Sequence, residues 1–365
     1  METIDFKKLA NRHVSELTPY QPGKPIAELE RELGITSSIK LASNENPLGA
    51  SQQAIQAASI ALRDMHIYPD GACYELKQLL SPFLSVATNQ LTIGNGSENI
   101  LEMIIKSYLQ SGDHAVISQY AFLTIPILIK SYGGIAKVVP AKSWGHDIPE
   151  MIKSIDDKTR IIFVVNPNNP TGTYTNLNDF ELLMKQVPPH VVVVIDEAYS
   201  EYISASDYPN AINYLSTYSN LIICRTFSKA YGLASLRLGY AVSSPEITDI
   251  LNRSRLPFNV NSVAVKAGCA ALLDQAHVQQ SVLLNNEGME YLTAQLREVG
   301  YDFIPSLGNF ITINVGVGLE IYQKLLHHGV IVRPLTAYGM PQHIRVTVGT
   351  PEQNKRFISA LKMVA

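Results

Sequence analysis

The sequence has 365 residues, of which 46% are hydrophobic and 17% are charged, and this length suggests about two domains. The composition supports a large packed core and argues against extensive disorder. The net charge of -3 predicts no nucleic-acid partner, and the longest apolar runs, residues 161–165 and 191–195, are too short to span a membrane.

The three cysteines are odd in number and far apart in the sequence, at Cys73, Cys224 and Cys269. This spacing argues against a disulfide framework and against a structural zinc site. The adjacent His327 and His328 are more typical of a helix end than of a metal site, so we expect no bound metal. Residues 1–13 also lack the apolar segment of a secretory signal, and together these features predict a cytoplasmic protein.

Residues 1–45 contain the proline- and glycine-rich segment TPYQPGKP (residues 18–25) and have no strong strand pattern, so we predict a helix and an arm that join the smaller domain. From residue 94 onward, short apolar strands alternate with helix-length segments such as Glu98–Leu109. Strands that are apolar on both faces are typical of a parallel sheet covered by helices on both sides. The predicted strands are His114–Ser118, Ala136–Val139, Ile161–Val165, Val191–Ile195, Leu221–Cys224 and Gly239–Ser243.

The pattern changes after residue 262, where long helical stretches are followed by short strands. This second region is typical of a smaller α+β domain. We therefore predict an N-terminal arm at 1–45, a large domain at 46–262 and a small domain at 263–365. The predicted elements of the small domain are Val263–Leu273, His277–Val299, Asn309–Asn314, Leu319–His328, Val330–Val332, His343–Thr347 and Pro351–Met363.

Ligands of parallel α/β sheets bind beyond the carboxyl ends of the strands, so the residues that follow each predicted strand are the candidates for a site. Gly96, Ser97 and Glu98 open a helix, where backbone amides favour a phosphate or carboxylate. The alternative for this segment is an ordinary turn with a helix cap. Asn169 lies in a rigid proline-rich loop after residues 161–165, and the prolines alone would also be explained by a turn.

Two further strand ends carry charged side chains. Asp196 follows residues 191–195 and is costly to bury without a partner, so it is either a helix cap or a fixed anion that faces a cation, with Tyr199 close by. Lys229 follows the next strand, and a desolvated amine there is suited to covalent chemistry with an aldehyde. Three neighbours, Thr226, Ser228 and Arg237, are placed to bind an anion.

The order and spacing of these four groups resemble the fold-type I aminotransferases that use pyridoxal 5'-phosphate (PLP). Asn169, Asp196, Lys229 and Arg237 are separated by 27, 33 and 8 positions. The flanking segments are similar to the histidinol-phosphate aminotransferase family, and they lie at 17–25, 41–49, 68–71, 255–261, 329–334 and 343–350. The resemblance implies an α/β fold of PLP-dependent transferase type I, with a mainly parallel central sheet, helices on both faces and a smaller α+β domain.

The same resemblance implies roles around the cofactor. Lys229 is the lysine that forms a Schiff base with PLP and moves protons, and Asp196 pairs with the pyridine nitrogen. Tyr199 and Asn169 bind the phenolic oxygen. Tyr120 stacks on the ring, although an ordinary core aromatic residue is an open alternative. The phosphate is bound by the backbone amides of Gly96, Ser97 and Glu98, together with Thr226, Ser228 and Arg237.

For the substrate, the resemblance implies that Tyr20, Asn44, Arg333 and Arg345 form the binding groups, with Arg345 also gripping glutamate. The alternative for both arginines is a surface ion pair. Tyr68 resembles a tyrosine that reaches the phosphate of a partner subunit, which implies a homodimer. Its alternative is a turn tyrosine.

The implied reaction interconverts histidinol phosphate and 2-oxoglutarate with imidazole acetol phosphate and glutamate, in the biosynthesis of histidine. Three alternatives stay open: an aromatic amino-acid aminotransferase, a PLP-dependent decarboxylase of a phosphorylated amino acid, and a non-catalytic effector-binding domain. The last of these is associated with an N-terminal DNA-binding module, and the first 45 residues have no basic helix-turn-helix pattern.

Overall fold

The computed structural model describes residues 4–364, and its strands form three sheets. The helices are Phe6–Leu9 (α1), Arg12–Ser15 (α2), Ile26–Leu33 (α3), Gln52–Ala61 (α4), Tyr74–Leu84 (α5), Ser97–Tyr108 (α6), Thr124–Ser131 (α7), Ile148–Lys153 (α8), Leu177–Gln186 (α9), Pro245–Ser254 (α10), Ser262–Leu273 (α11), Gln275–Val299 (α12), Gly318–His327 (α13) and Pro351–Val364 (α14). The strands are Ile39–Lys40 (β1), Leu91–Gly94 (β2), His114–Ser118 (β3), Ile135–Val139 (β4), Thr159–Val165 (β5), Val192–Asp196 (β6), Leu221–Thr226 (β7), Gly239–Ser243 (β8), Phe303–Ile304 (β9), Phe310–Asn314 (β10), Val330–Ile331 (β11), Arg333–Pro334 (β12) and His343–Thr347 (β13).

The central sheet has seven strands in the order β2-β8-β7-β6-β5-β3-β4, and β8 alone runs antiparallel to its neighbours. Side chains of one strand alternate between two separate cores, as the period of a strand requires. On β6, Val193 and Ile195 pack with α5, α9 and α11, whereas Val192 and Val194 pack with α6, α7 and α10. The predicted mainly parallel sheet with helices on both faces is therefore confirmed.

Two sequence predictions about this sheet need correction. The strand predicted at Ala136–Val139 was expected to be covered on both faces, but Ile135 and Val138 are 50% and 55% exposed. The reason is that β4 is an edge strand and lacks a neighbour on one side. The strand β2, whose residues are all buried, was not predicted, because four residues are too few to show a period.

The four-stranded antiparallel sheet has the order β12-β13-β10-β9, and α12, α13 and α14 pack on it. The N-terminal region contributes β1, which pairs in parallel with β11. Leu41 continues this connection: its amide donates to Ile331 and its carbonyl oxygen accepts from the amide of Thr347. The division into domains at residues 45 and 262 stays a prediction.

Within residues 4–364, none of the helices combines the length and apolar character that crossing a bilayer requires.

One close backbone contact joins the loop after β7 to the segment that follows β1. Gly232 has a φ of +71°, and a Cβ atom at this position would lie 2.1 Å from the carbonyl oxygen of Gly49. Any side chain here would clash with backbone, which cannot move aside as the end of a flexible side chain can. The contact holds the loop that contains Lys229 against the N-terminal segment.

Replacement of Gly232 by alanine should therefore destabilise the protein through both strain and overlap. We expect the free energy of unfolding to fall by about 2–5 kcal/mol, the sum of roughly 1–2 kcal/mol for a left-handed non-glycine residue and roughly 1–3 kcal/mol for the packing overlap. The matched control is Gly112→Ala, which has a φ of +88° but nothing within 4 Å of the added Cβ. Urea unfolding of both variants measures the difference, and equal destabilisation would contradict the proposed overlap.

Candidate active site

A cavity of about 200 Å³ lies at the carboxyl ends of the central parallel strands. The ends of β5 and β6 are level there, because Val165 pairs with Asp196, and β7 extends two residues beyond Cys224, the partner of Asp196. The opposite wall comes from the N-terminal segment and from β12 and β13. Of the residues predicted for the site, the cavity is lined by Tyr20, Asn44, Ser97, Glu98, Asn169, Asp196, Tyr199, Thr226, Ser228, Lys229, Arg237, Arg333 and Arg345.

Three predicted residues do not line this cavity. Gly96 lies directly behind Arg237, where an added Cβ would come within 2.6 Å of Nη2. The ring of Tyr120 packs 5.6 Å from that of Trp144, and Phe122 lines the cavity instead. Tyr68 is 80% exposed on the outer surface. The role predicted for each of these residues stays a prediction.

The cavity wall also contains residues that were not predicted from the sequence, among them Ser43, Phe122 and Tyr338. Ser43 lies within the segment 41–49 and Phe122 is two residues after Tyr120, so both were close to segments already singled out. Tyr338 belongs to none of the motifs, and no feature of the sequence marks it.

Lys229 is partly buried in the wall of this cavity and donates a hydrogen bond from Nζ to the carbonyl oxygen of Ser43 at 3.1 Å. Desolvation of its amine, together with the nearby guanidinium groups of Arg345 and Arg237, lowers the pKa of Lys229 to about 8. A large fraction of the amine is therefore neutral, and nucleophilic, at a pH near 8.

Asp196 presents a buried carboxyl group at the end of β6. Its Oδ1 atom has no hydrogen-bond partner among the described residues, and burial raises the pKa of the group to about 7. The neighbouring Glu197 cannot neutralise the charge of Asp196, because it is also a carboxylate and is itself paired with Arg225 at 2.8 Å. An unpartnered buried carboxyl group of this kind is suited to a cationic or proton-bearing group in a ligand.

The hydroxyl of Tyr199 points to the same region. It accepts a hydrogen bond from Nδ2 of Asn44 at 2.8 Å, and burial raises the pKa of Tyr199 to about 12. Asn44 is itself fixed through its backbone. Its backbone amide donates a hydrogen bond to Oγ1 of Thr347, and its backbone carbonyl oxygen accepts one from Nδ2 of Asn309. In this structure Asn44 therefore orients Tyr199, and its predicted contact with substrate stays a prediction.

One end of the cavity presents hydrogen-bond donors that are suited to an anion. The N-terminus of α6 has no side-chain cap, so its first amides are free to donate to a ligand. Opposite them, the amide of Ser228 donates to Oγ1 of Thr226 at 3.1 Å, and Nη1 of Arg237 lies 3.4 Å from Oγ of Ser228. We refer to Ser97, Thr226, Ser228 and Arg237 as the phosphate cradle.

The other end holds two buried arginines. Arg333 on β12 and Arg345 on β13 are direct cross-strand partners, and among residues 4–364 neither lies within 4 Å of a carboxylate. Arg345 donates to Oδ1 of Asn169 and to the carbonyl oxygen of Ala42, but its Nε has no partner there. Arg333 lies 5.3 Å from the centroid of the Tyr20 ring. The pair leaves positive charge for a second anionic group.

The residues present fit PLP, which has a phosphate, a ring nitrogen that carries a proton and an aldehyde. The phosphate cradle suits the phosphate of PLP, and the unpartnered Oδ1 atom of Asp196 suits its ring nitrogen. The neutral amine of Lys229 suits its aldehyde.

Comparisons with known proteins agree with this geometry. Residues 36–361 match the family model for aminotransferase class I and II. The chain is 52% identical over 363 residues to histidinol-phosphate aminotransferase 2 of Pseudomonas fluorescens, covering 99% of this chain and 98% of that protein. It is 49% identical over 360 residues to histidinol-phosphate aminotransferase 1 of Nitrosococcus oceani, with 98% and 97% covered.

A solved structure is similar as well. The histidinol-phosphate aminotransferase of Sinorhizobium meliloti, in complex with pyridoxal-5'-phosphate, superposes with a TM-score of 0.89 at 25% identity, covering 97% of each chain. The chain is thus an enzyme that depends on PLP, and it belongs to the class I and II aminotransferases, within the histidinol-phosphate aminotransferase family.

Proposed function

We propose that this enzyme interconverts histidinol phosphate and 2-oxoglutarate with imidazole acetol phosphate and glutamate. The observation that carries this proposal is the cross-strand pair Arg333 and Arg345, buried beside Lys229 without a carboxylate partner among residues 4–364. Histidinol phosphate carries a phosphate and no carboxylate, whereas glutamate carries two carboxylates. A pair of planar guanidinium groups binds either kind of anion, so one site serves both half-reactions.

The residues around the cofactor have separate proposed roles. Thr226, Ser228, Arg237 and the first amides of α6 hold the phosphate, and Asp196 holds the ring nitrogen in its protonated form. Bound there, PLP supplies an electron sink that stabilises negative charge at the substrate Cα. Tyr199 and Nδ2 of Asn169 donate to the phenolic oxygen, because Oδ1 of Asn169 is already bound by Arg345.

Lys229 is the proposed base and acid. With a pKa of about 8, Nζ can accept the proton from the substrate Cα and return it to the product, since a catalytic group is most effective near the working pH. The carbonyl oxygen of Ser43, at 3.1 Å, orients the amine. Arg345 and Arg333 fix the substrate, and Tyr20 covers the anionic end from the N-terminal segment.

We also propose a cytoplasmic homodimer in which Tyr68 reaches the cavity of a second copy. The supporting observation is that Tyr68 stacks on Phe258 at 4.9 Å while 80% of its surface is exposed. The three cysteines are free and buried, which fits a reducing compartment.

An aromatic amino acid is the second candidate substrate. Besides Tyr199, the aromatic side chains of Tyr20, Phe122 and Tyr338 line the cavity and provide surfaces for a flat ring. An aromatic amino acid would use the guanidinium of Arg345 for its carboxylate and leave Arg333 without an anion.

Replacement of Lys229 by alanine should abolish transamination, because the covalent and proton-transfer roles both depend on Nζ. We expect no measurable turnover and no visible absorbance of cofactor bound through this lysine. Lys153→Ala is the control, since that lysine is exposed and paired only with Glu150. Steady-state turnover by the Lys229 variant, at a rate close to that of the control, would refute the assignment.

The reactivity of Lys229 should rise at a lower pH than that of an ordinary lysine. Its pKa is lowered from 10.5 to about 8, so the neutral, reactive amine is half formed near pH 8 and nearly complete by pH 9. Labelling of the cofactor-free protein with trinitrobenzenesulfonate, followed by peptide mass spectrometry, measures this midpoint. Lys153 is the internal reference, because Glu150 raises its pKa and delays its labelling. A common midpoint for both lysines would contradict the expectation.

Replacement of Arg333 by alanine should impair histidinol phosphate far more than phenylalanine. With 2-oxoglutarate as acceptor, we expect kcat/KM for histidinol phosphate to fall about a hundredfold, which is about 2.7 kcal/mol, and that for phenylalanine less than tenfold. Arg253→Ala, an exposed arginine paired with Asp249, is the control. Wild-type enzyme that prefers phenylalanine, or equal losses for the two substrates, would favour the aromatic alternative.

A further inference from the structure

A carboxylate occupies the edge of the phosphate cradle. Glu98 lies in the first turn of α6, and its Oε2 atom is 3.5 Å from Nη2 of Arg237. Its Oε1 atom accepts a hydrogen bond from Oγ1 of Thr124 at 2.7 Å, which fixes the side chain in this direction. Glu98 also lines the cavity.

Glu98 is the ionic partner of Arg237 in this structure. The other hydrogen bonds of that guanidinium go to neutral groups, the hydroxyl of Ser228 and the carbonyl oxygen of Ala234. Among residues 4–364, no other carboxylate lies within 4 Å of Arg237. The positive charge that the cradle would offer to a phosphate is therefore already partly neutralised from within the chain.

A phosphate monoester carries a charge of about -1.5 to -2 near neutral pH. A phosphate that binds to the amides of α6 and to Arg237 must either displace Glu98 from Arg237 or lie beside the Glu98 carboxylate. In the second case the two negative charges repel each other. Both routes weaken binding of the phosphate relative to a cradle without the carboxylate.

We propose that Glu98 is an internal competitor for Arg237, which lowers the affinity of the cradle for phosphate monoesters and speeds the release of the phosphorylated cofactor. The inference rests on the proposed use of this cradle for the cofactor phosphate. The Glu98 side chain would thus oppose the phosphate, whereas the backbone amides in the same helical turn attract it. Since both side chains are partly exposed, added salt screens the competition.

The test is equilibrium binding of two phosphate compounds that cannot form a bond with Lys229: pyridoxamine 5'-phosphate and inorganic phosphate. Calorimetry on cofactor-free, full-length wild-type protein and the Glu98→Gln variant gives both dissociation constants. We expect the variant to bind each compound about tenfold more tightly at low ionic strength, and to release pyridoxamine 5'-phosphate more slowly. The difference should shrink when salt is raised.

The matched control is Glu102→Gln, one helical turn further along α6. This glutamate contacts Tyr132 and Asn99 and does not line the cavity, so removal of its charge should change both constants less than twofold. Equal tightening in the two variants would mean a general effect of net charge and would overturn the proposal. Unchanged or weaker binding by the Glu98 variant would also overturn it, and would instead indicate that Glu98 orients Arg237.

Failure of this inference can be told apart from failure of the cradle itself. An Arg237→Ala variant should lose affinity for both compounds if the cradle is correctly assigned. If that variant binds them as the wild type does, the cradle assignment is wrong, and the inference about Glu98 falls with it. If Arg237→Ala loses binding but Glu98→Gln does not gain it, the inference alone is wrong.

Discussion

The site depends above all on an excess of positive charge gathered around one cavity. Lys229, Arg237, Arg333 and Arg345 face one cavity, and Asp196 and Glu98 are the acidic side chains that line it. Desolvation, together with this excess of positive charge, lowers the pKa of Lys229 and makes the amine available for chemistry. The same excess leaves room for anionic ligands at both ends. Such a cavity is costly in the free protein, and ligands that carry phosphate or carboxylate groups relieve the cost.

The fold brings these charges together from distant parts of the chain. Three adjacent parallel strands, β5, β6 and β7, place Asn169, Asp196 and Lys229 at the carboxyl-terminal side of the central sheet, where ligands of α/β sheets bind. The antiparallel sheet supplies Arg333 and Arg345 on paired strands. The N-terminal segment closes the cavity between them and is fastened at Leu41 and Gly49. Loss of any of these three parts would open the cavity to water and weaken every electrostatic interaction inside it.

The sequence predicted the central strands well, because buried parallel strands form continuous apolar runs such as residues 191–195. It predicted the charged residues of the cavity because each follows such a run or belongs to a recognisable motif. It could not reveal that β4 lies at an edge or that Asn44 binds Tyr199, since both depend on pairing between residues far apart in the chain. It also gave no sign of Tyr338 or of the contact between Glu98 and Arg237, which arise only from tertiary packing.

The position of Trp144 has a practical consequence. It is the only tryptophan in the sequence, and its ring packs between Tyr120 and His343, two residues before Arg345 on the same strand. Excitation at wavelengths that tyrosine does not absorb therefore yields emission from one point beside the cavity. Because the emission of tryptophan overlaps the absorption of pyridoxal compounds, resonance energy transfer should quench this signal when the cavity is filled. The protein thus carries its own optical sensor of occupancy, without any attached dye.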